Sequence, residues 1–170
     1  EFEITSLAKT ITTDSLKADN RIAIKYIGFD NGAVSVSSTG DVIINGAIYN
    51  RSGNTTVASS GSILQSKDIA VVGGNNVNLS AGTGIGSAAA AVQVNTGDAG
   101  RLDATSASGD IRVRETLGDL RIGTVGGVNV ANVAISADRN LVNADAASFV
   151  QGRRIEMESV NGGIGDTAGD

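Results

Sequence analysis

Glu156 and Glu158 flank Met157, and in an extended strand residues two apart project from one face about 7 Å from each other. Two carboxylates at that separation suit acid and base roles in sugar hydrolysis. Arg153 and Arg154 stand beside them to neutralise them, and exposed charges on a strand face ordinarily only solvate it. Ser66-Lys67 offers a nucleophile and a base, but adjacent strand residues point to opposite faces. Asp98, Asp103, Asp166 and Asp170 lie in glycine-rich turns, where carboxylates and carbonyls collect calcium. Their spacing fits neither the EF-hand loop nor the calcium-binding nonapeptide, so they are expected to act as turn formers. Arg112, Arg114 and Arg121 suggest a basic patch, yet 13 basic residues stand against 18 acidic ones without interleaved aromatics, which disfavours nucleic acid. The threonines at 12–13 and 55–56 lack the every-coil repetition that an ice-binding array needs. No histidine or cysteine occurs, removing disulfides, imidazole bases and the usual zinc ligands. No catalytic, cofactor-binding or metal residue is assigned, and no cofactor is expected.

The elements that would position these groups are strands. Apolar residues recur as x-apolar-x-apolar pairs, the two-residue period, at 22–24, 34–36, 42–44, 69–72, 77–79, 92–94, 111–113, 120–122, 133–135 and 155–157. Residues 87–91 and 143–148 are too short for stable helices and are expected to be loops. Three strands open with one signature: Gly40-Asp41-Val42-Ile43-Ile44, Gly109-Asp110-Ile111-Arg112-Val113 and Gly118-Asp119-Leu120-Arg121-Ile122. Glycine supplies a turn conformation and aspartate bonds the turning backbone. The apolar pairs then face inward, with Arg112 and Arg121 facing water.

The chain also repeats itself. Residues 40–81 lie without a gap on residues 118–159, 78 positions later, with six identities in 42 positions. The hydrophobic pattern carries the match: Val42, Ile44, Val57, Ile63, Val72, Val77 and Leu79 fall on Leu120, Ile122, Ile135, Leu141, Val150, Ile155 and Met157. Buried positions are kept while the surface drifts, as in a stacked array. Residues 21–99 and 100–170 are therefore read as two repeat units of one continuous solenoid. Residues 1–20 form a dissimilar N-terminal segment, a cap or a cloning-derived start.

Composition agrees with thin layers. The chain is 41% hydrophobic with a net charge of −5, and its five aromatics leave a core of Val, Ile, Leu and Ala. Three-residue strands are too short to stand alone, but strands stacked from successive windings form parallel sheets. The expected fold is an all-β, single-stranded parallel β-helix. A 78-residue unit divides into four coils of about 20 residues, and eight or nine coils make a rod of roughly 40 Å. An antiparallel sandwich or barrel is the alternative, though few two-residue hairpin turns are present. The chain starts without Met and contains no signal-peptide core and no apolar run near 18 residues. It therefore reads as a piece of a longer protein that neither directs its own export nor inserts into a membrane.

The order of motifs resembles the repeat regions of filamentous-haemagglutinin-like large exoproteins, giant adhesins of Gram-negative bacteria exported by two-partner secretion. Carrying the likeness are Val92-Gln93-Val94-Asn95-Thr96-Gly97, Arg101-Leu102-Asp103-Ala104, the Gly109-Asp110 and Gly118-Asp119 strands, Val133-Ala134-Ile135-Ser136, Ile155-Glu156-Met157-Glu158 and Gly162-Gly163-Ile164-Gly165. The likeness covers residues 21–170. It implies a right-handed helix, a secreted or cell-surface location and a shaft without catalytic residues.

Three functions follow as expectations. The first is a structural shaft of an adhesin, supporting attachment or biofilm formation, with adjoining repeats as its neighbours. The second is a module holding a host-cell or matrix protein or a glycan on irregular loops at 46–54 and 123–132. The third is a polysaccharide-degrading enzyme, which the missing histidine disfavours. Neither end carries an evident polar cap, so either residues 1–20 cover one end or copies associate end to end.

Overall fold

The computed structural model describes residues 2–6, 22–29, 32–97 and 99–165. Seventeen strands and no helix occur among them, and every strand pairing is parallel. One sheet holds β1 (Phe2–Ser6), β2 (Ile22–Phe29), β4 (Val42–Asn50), β6 (Ser62–Gln65), β7 (Val71–Gly73), β9 (Gly84–Ile85), β10 (Val92–Asn95), β12 (Gly109–Glu115), β14 (Val130–Ala137) and β17 (Arg154–Ser159). The other holds β3 (Ala33–Ser38), β5 (Asn54–Ser59), β8 (Asn76–Ala81), β11 (Arg101–Ser106), β13 (Leu120–Gly126), β15 (Leu141–Asn143) and β16 (Phe149–Gln151). The chain alternates between the two sheets, so the molecule is a parallel β-solenoid. Antiparallel architectures are excluded for this region.

Alternation decides which residues meet. In the first sheet Val42, Ile63, Ile85, Ile111 and Val133 stand in one register column, all at most 1% exposed. In the second, Val36, Val57, Leu79, Ala104 and Val125 form another. Among the described residues the buried hydrophobic side chains are all Val, Ile, Leu or Ala, so two sheets meet through one thin aliphatic layer. Residues 87–91 are irregular, as expected; of the expected loop at 143–148, Asn143 ends β15 and 144–148 are irregular, and so are residues 66–70. These three segments bulge out where single rungs split: β6 from β7, β9 from β10, β15 from β16. Gln65 closes the first bulge, donating to Lys67 O and Ala70 O while its Oε1 accepts from Gln93 N on the next winding.

The pitch differs from the value read from the repeat. Neighbouring rungs lie about 22 residues apart, giving about six turns rather than eight or nine. From Val42 the column runs through Ile63 and Ile85 to Ile111, three windings, and half a winding further lies Leu120 in the opposite sheet. The 78-residue repeat thus spans three and a half coils, not four. Each strand of the first copy maps onto a strand of the other sheet: Val42 onto Leu120, Val57 onto Ile135, Val77 onto Ile155. The two sheets are built from interchangeable half-coils, and the residues stacked on one another are one coil apart, not one repeat apart.

The aspartates of the Gly-Asp signature reach farther than their own turn. Asp41 Oδ1 accepts from Ser62 N at 2.8 Å, Asp110 Oδ1 from Asn132 N at 3.1 Å, and Asp119 Oδ1 from Asn140 N at 3.0 Å. Asn140 Oδ1 continues one ladder to Gly163 N at 2.9 Å. Each carboxylate therefore satisfies an amide of the next winding where the ladder leaves a gap: at the start of β6, just before β15, and at the register shift inside β14. At Gly109 the preceding turn requires φ 78°, and a Cβ there would sit 2.1 Å from Thr83 O. The glycine serves close approach between windings as well as the turn.

Candidate functional site

Glu156 and Glu158 share the outer face of β17, as alternation requires, and both are exposed. Arg154 Nη2 lies 3.6 Å from Glu156 Oε2. Glu156 also borders a recess of about 200 Å³ together with Arg112, Asn132 and Arg154, and Glu158 does not. Ser66 and Lys67 sit in the bulge after β6 rather than on a strand, and the Ser66 hydroxyl is held by Asn45 Oδ1. Arg112 and Arg114 belong to β12 of the first sheet and Arg121 to β13 of the second, so the expected shared basic patch does not form. The half-coil step separates them.

Of the aspartates considered for calcium, Asp98, Asp166 and Asp170 lie outside the described residues. Asp103 is occupied: Arg101 Nε and Nη2 donate to it at 2.8 and 2.9 Å, and Thr124 N at 2.7 Å. Arg101 also reaches Asp145 in the 144–148 bulge, which clips that bulge to a rung two windings back. No cluster of three or more acidic residues suited to a metal occurs among the described residues. Among the described residues no helix is long and apolar enough to cross a membrane.

The segments expected as binding loops are mostly strand. Residues 46–50 complete β4 and 123–126 complete β13, leaving short turns at 51–53 and 127–129. Extended backbone continues there because Ile48 and Val125 still find apolar partners on the next rung, the buried Val72 and the half-buried Val150. The first region nonetheless borders a recess of about 350 Å³. Tyr49 projects outward, 54% exposed. Register sets Ala47 against Val71 and Ile48 against Val72, so Gly73 follows Tyr49 in the outward column, and Asn95 follows Gly73.

At Gly73 a Cβ would lie 2.8 Å from Ile48 O. The backbones thus approach closely there, and because glycine carries no side chain the outward column has none between the aromatic ring and the amide, which stand two rungs, or roughly 10 Å, apart. Leu117, 66% exposed, and Arg51 border the recess. Its floor is pinned from behind: Thr55 Oγ1 donates to Gly73 O at 2.7 Å, and Asn50 Nδ2 donates to Thr55 Oγ1 at 3.2 Å.

Next to it sits Glu115, fully buried in a column whose preceding members are Ile48, Val72 and Val94. Its Oε2 accepts from Thr96 N and Oγ1 at 3.0 and 3.1 Å, and its Oε1 from Thr116 N and Leu117 N at 3.0 and 3.2 Å. Burial pushes this carboxyl above the ordinary glutamate range, and the four donors pull it partly back. Glu115 closes two successive corners: it takes up Thr96 N and Leu117 N and shares Thr116 N with Val94 O of the neighbouring rung. Sequence reasoning missed it; the one available signal was a carboxylate at the inward parity of an otherwise alternating strand, Ile111-x-Val113-x-Glu115.

No family model, curated protein or solved structure matches this chain. The fold itself defines a parallel β-solenoid whose flank carries an aromatic-edged recess beside Tyr49.

Proposed function

We propose that this chain is a non-catalytic shaft segment of a giant secreted or cell-surface bacterial adhesin, supporting attachment or biofilm formation, of the filamentous-haemagglutinin-like kind that its motif order resembles. The observation that carries the reading is the unbroken aliphatic layer running through successive rungs from Ile22 to Val133. A stack of this kind transmits load along its axis through backbone ladders and presents no flexible joint. Its work is length and stiffness. In a bacterium displaying the parent protein, replacing residues 22–159 by an unrelated solenoid of equal length should preserve attachment, and deleting them should weaken it. Attachment lost on the length-matched replacement would refute the shaft reading.

The recess beside Tyr49 favours a second reading, a module that binds a glycan. An exposed ring facing an amide across an empty column place suits a pyranose, with its apolar face on the ring and its hydroxyls toward Asn95 and Arg51. Titration with a panel of methyl hexopyranosides, followed by NMR, tests it. Shifts confined to residues 49–51, 73–74 and 95–97 and abolished by Tyr49→Ala are expected. No shift with any member would exclude the glycan.

A further inference from the structure

We infer that Glu115 is a proton-operated latch on the recess beside Tyr49: ionised, it holds in place the wall formed by residues 95–97 and 116–117, and protonated, it releases that wall. The wall responds in this way with or without a glycan in the recess.

Two buried polar pairs back the recess, one at each end. At the Tyr49 end Asn50 and Thr55 pin Gly73 O through uncharged hydrogen bonds. At the other end stand Thr96 and Glu115, both buried. Asn95 and Gly97 border the recess on one winding, and Thr116 and Leu117 on the next. Glu115 reaches both windings, through Thr96 N and Oγ1 on the first and Thr116 N and Leu117 N on the second. Thr116 N has a second acceptor in Val94 O, whereas Thr96 N and Leu117 N rely on the carboxylate. The same corner orients Asn95, whose Oδ1 accepts from Gly97 N at 3.2 Å. Of the two braces only the second can change its charge.

All four partners donate, and hydrogen bonds to an ionised acceptor are roughly twice as strong as neutral ones. A proton on Oε2 weakens the set unevenly. The Thr96 hydroxyl can turn and accept that proton, because a hydroxyl both donates and accepts. Thr96 N cannot, and it is left facing an O–H, while Leu117 N keeps only a neutral oxygen. Burial in an aliphatic column disfavours the charge, so this carboxyl takes up its proton above the ordinary glutamate range. Val94 flanks it in the column on one side and, one place on from the paired Arg114 and Ser136, Ala137 on the other. The strands packed against β12 bring it no counter-charge: β9, β10 and β14 contain no ionisable residue. On β11 Arg101 and Asp103 bond each other, and on β13 Arg121 bonds Ala144 O. Asp110, Arg112 and Arg114 lie on the outward parity of β12 itself. Beyond the strand ends, Asp119 is committed to Asn140 and Asp138 to Asn161, and Arg51 lies across the recess, three rungs or roughly 14 Å away.

The test is a pH titration of the whole, ligand-free chain by NMR, from neutrality down to the ordinary glutamate range. Side-chain carboxyl carbon shifts report when Glu115 takes up its proton, and amide exchange, corrected for its intrinsic pH dependence, reports the wall. Thr96 N and Leu117 N should lose roughly tenfold protection as Glu115 titrates, and the Asn95 side-chain amide should shift with the same midpoint. Thr116 N, which retains Val94 O, and Asn50 Nδ2 at the other end should stay as they are. Glu115→Gln should leave the wall released at every pH. Asp98→Asn, which removes the carboxylate two residues from Thr96, should keep the wild-type response. The wild-type titration decides by itself should the glutamine variant not fold. Thr96 and Leu117 amides that stay protected while Glu115 titrates would overturn the proposal, and so would a response that survives Glu115→Gln or vanishes with Asp98→Asn. Protection lost at all amides together would also overturn it, since that marks unfolding of the stack and not release of one wall.

Discussion

Replacing Ile111 by alanine should cost several times more stability than replacing Ile155, although both are inward-facing isoleucines of one column in the same sheet. Ile111 is fully buried between Ile85 on one rung and Val133 on the next. Truncation removes about three carbons, worth about 0.8 kcal/mol each in lost transfer. A closed cavity between two rungs adds to this, so the expected loss is about 3–4 kcal/mol. Ile155 is 45% exposed and, among the described residues, has a rung on one side only, so roughly half of the transfer contribution applies and no closed cavity forms, for about 1 kcal/mol. In a linear array an internal change weakens two interfaces and a terminal change one. Urea unfolding followed by far-ultraviolet circular dichroism at low protein concentration measures both variants, with an unchanged m-value confirming that the transition is the same. Equal losses, or a larger loss at Ile155, would show that the rungs do not stack in this register.

Other expectations follow from the same geometry. Gly109→Ala combines φ 78° with a Cβ placed 2.1 Å from Thr83 O and should cost more than about 3 kcal/mol, while Gly97→Ala, at φ 66° with nothing within 4 Å, should cost about 1 kcal/mol; thermal melts of the pair distinguish a clash between windings from simple turn strain. Asp119→Ala removes the acceptor of Asn140 N and Nδ2, at 3.0 and 2.9 Å, and should cost about 1–2 kcal/mol, with Asp119→Asn recovering most of it in the same melts. Stability should also pass through a maximum on the acid side of neutrality. The Glu115 carboxyl lies above its unfolded value because burial disfavours its charge, so stability is lost as pH rises from the ordinary glutamate pKa through the folded one. Asp110 is held low, first by the Asn132 side-chain amide, so its contribution is present above the ordinary aspartate pKa and lost as pH falls through the folded one. Melting temperature against pH checks this: Glu115→Gln should remove the decline on the alkaline side of the maximum and leave the acid side unchanged.

Much of this architecture is legible in the residues alone. The two-residue period at Val42-x-Ile44, Ile111-x-Val113 and Leu120-x-Ile122 determines which side chains face inward, because successive side chains of a strand point to opposite faces wherever the strand lies. Scarce aromatics determine a thin aliphatic core, and the tandem pattern determines a stacked array. What periodicity leaves open is which strand lies beside which, since that depends on the length of each turn and on how far each bulge carries the chain.

Tertiary structure decided those matters. It set the winding at about 22 residues, so that the 78-residue copies fall half a coil out of step, on opposite sheets. It parted Arg112 from Arg121 and turned the Gly-Asp aspartates toward amides one winding away. It placed Gly73 between Tyr49 and Asn95, opening the recess, and drew Glu115 into an aliphatic column, where two corners bring it four donors. A strand's own residues set its faces by local sterics; its neighbours are set by the path of the whole chain.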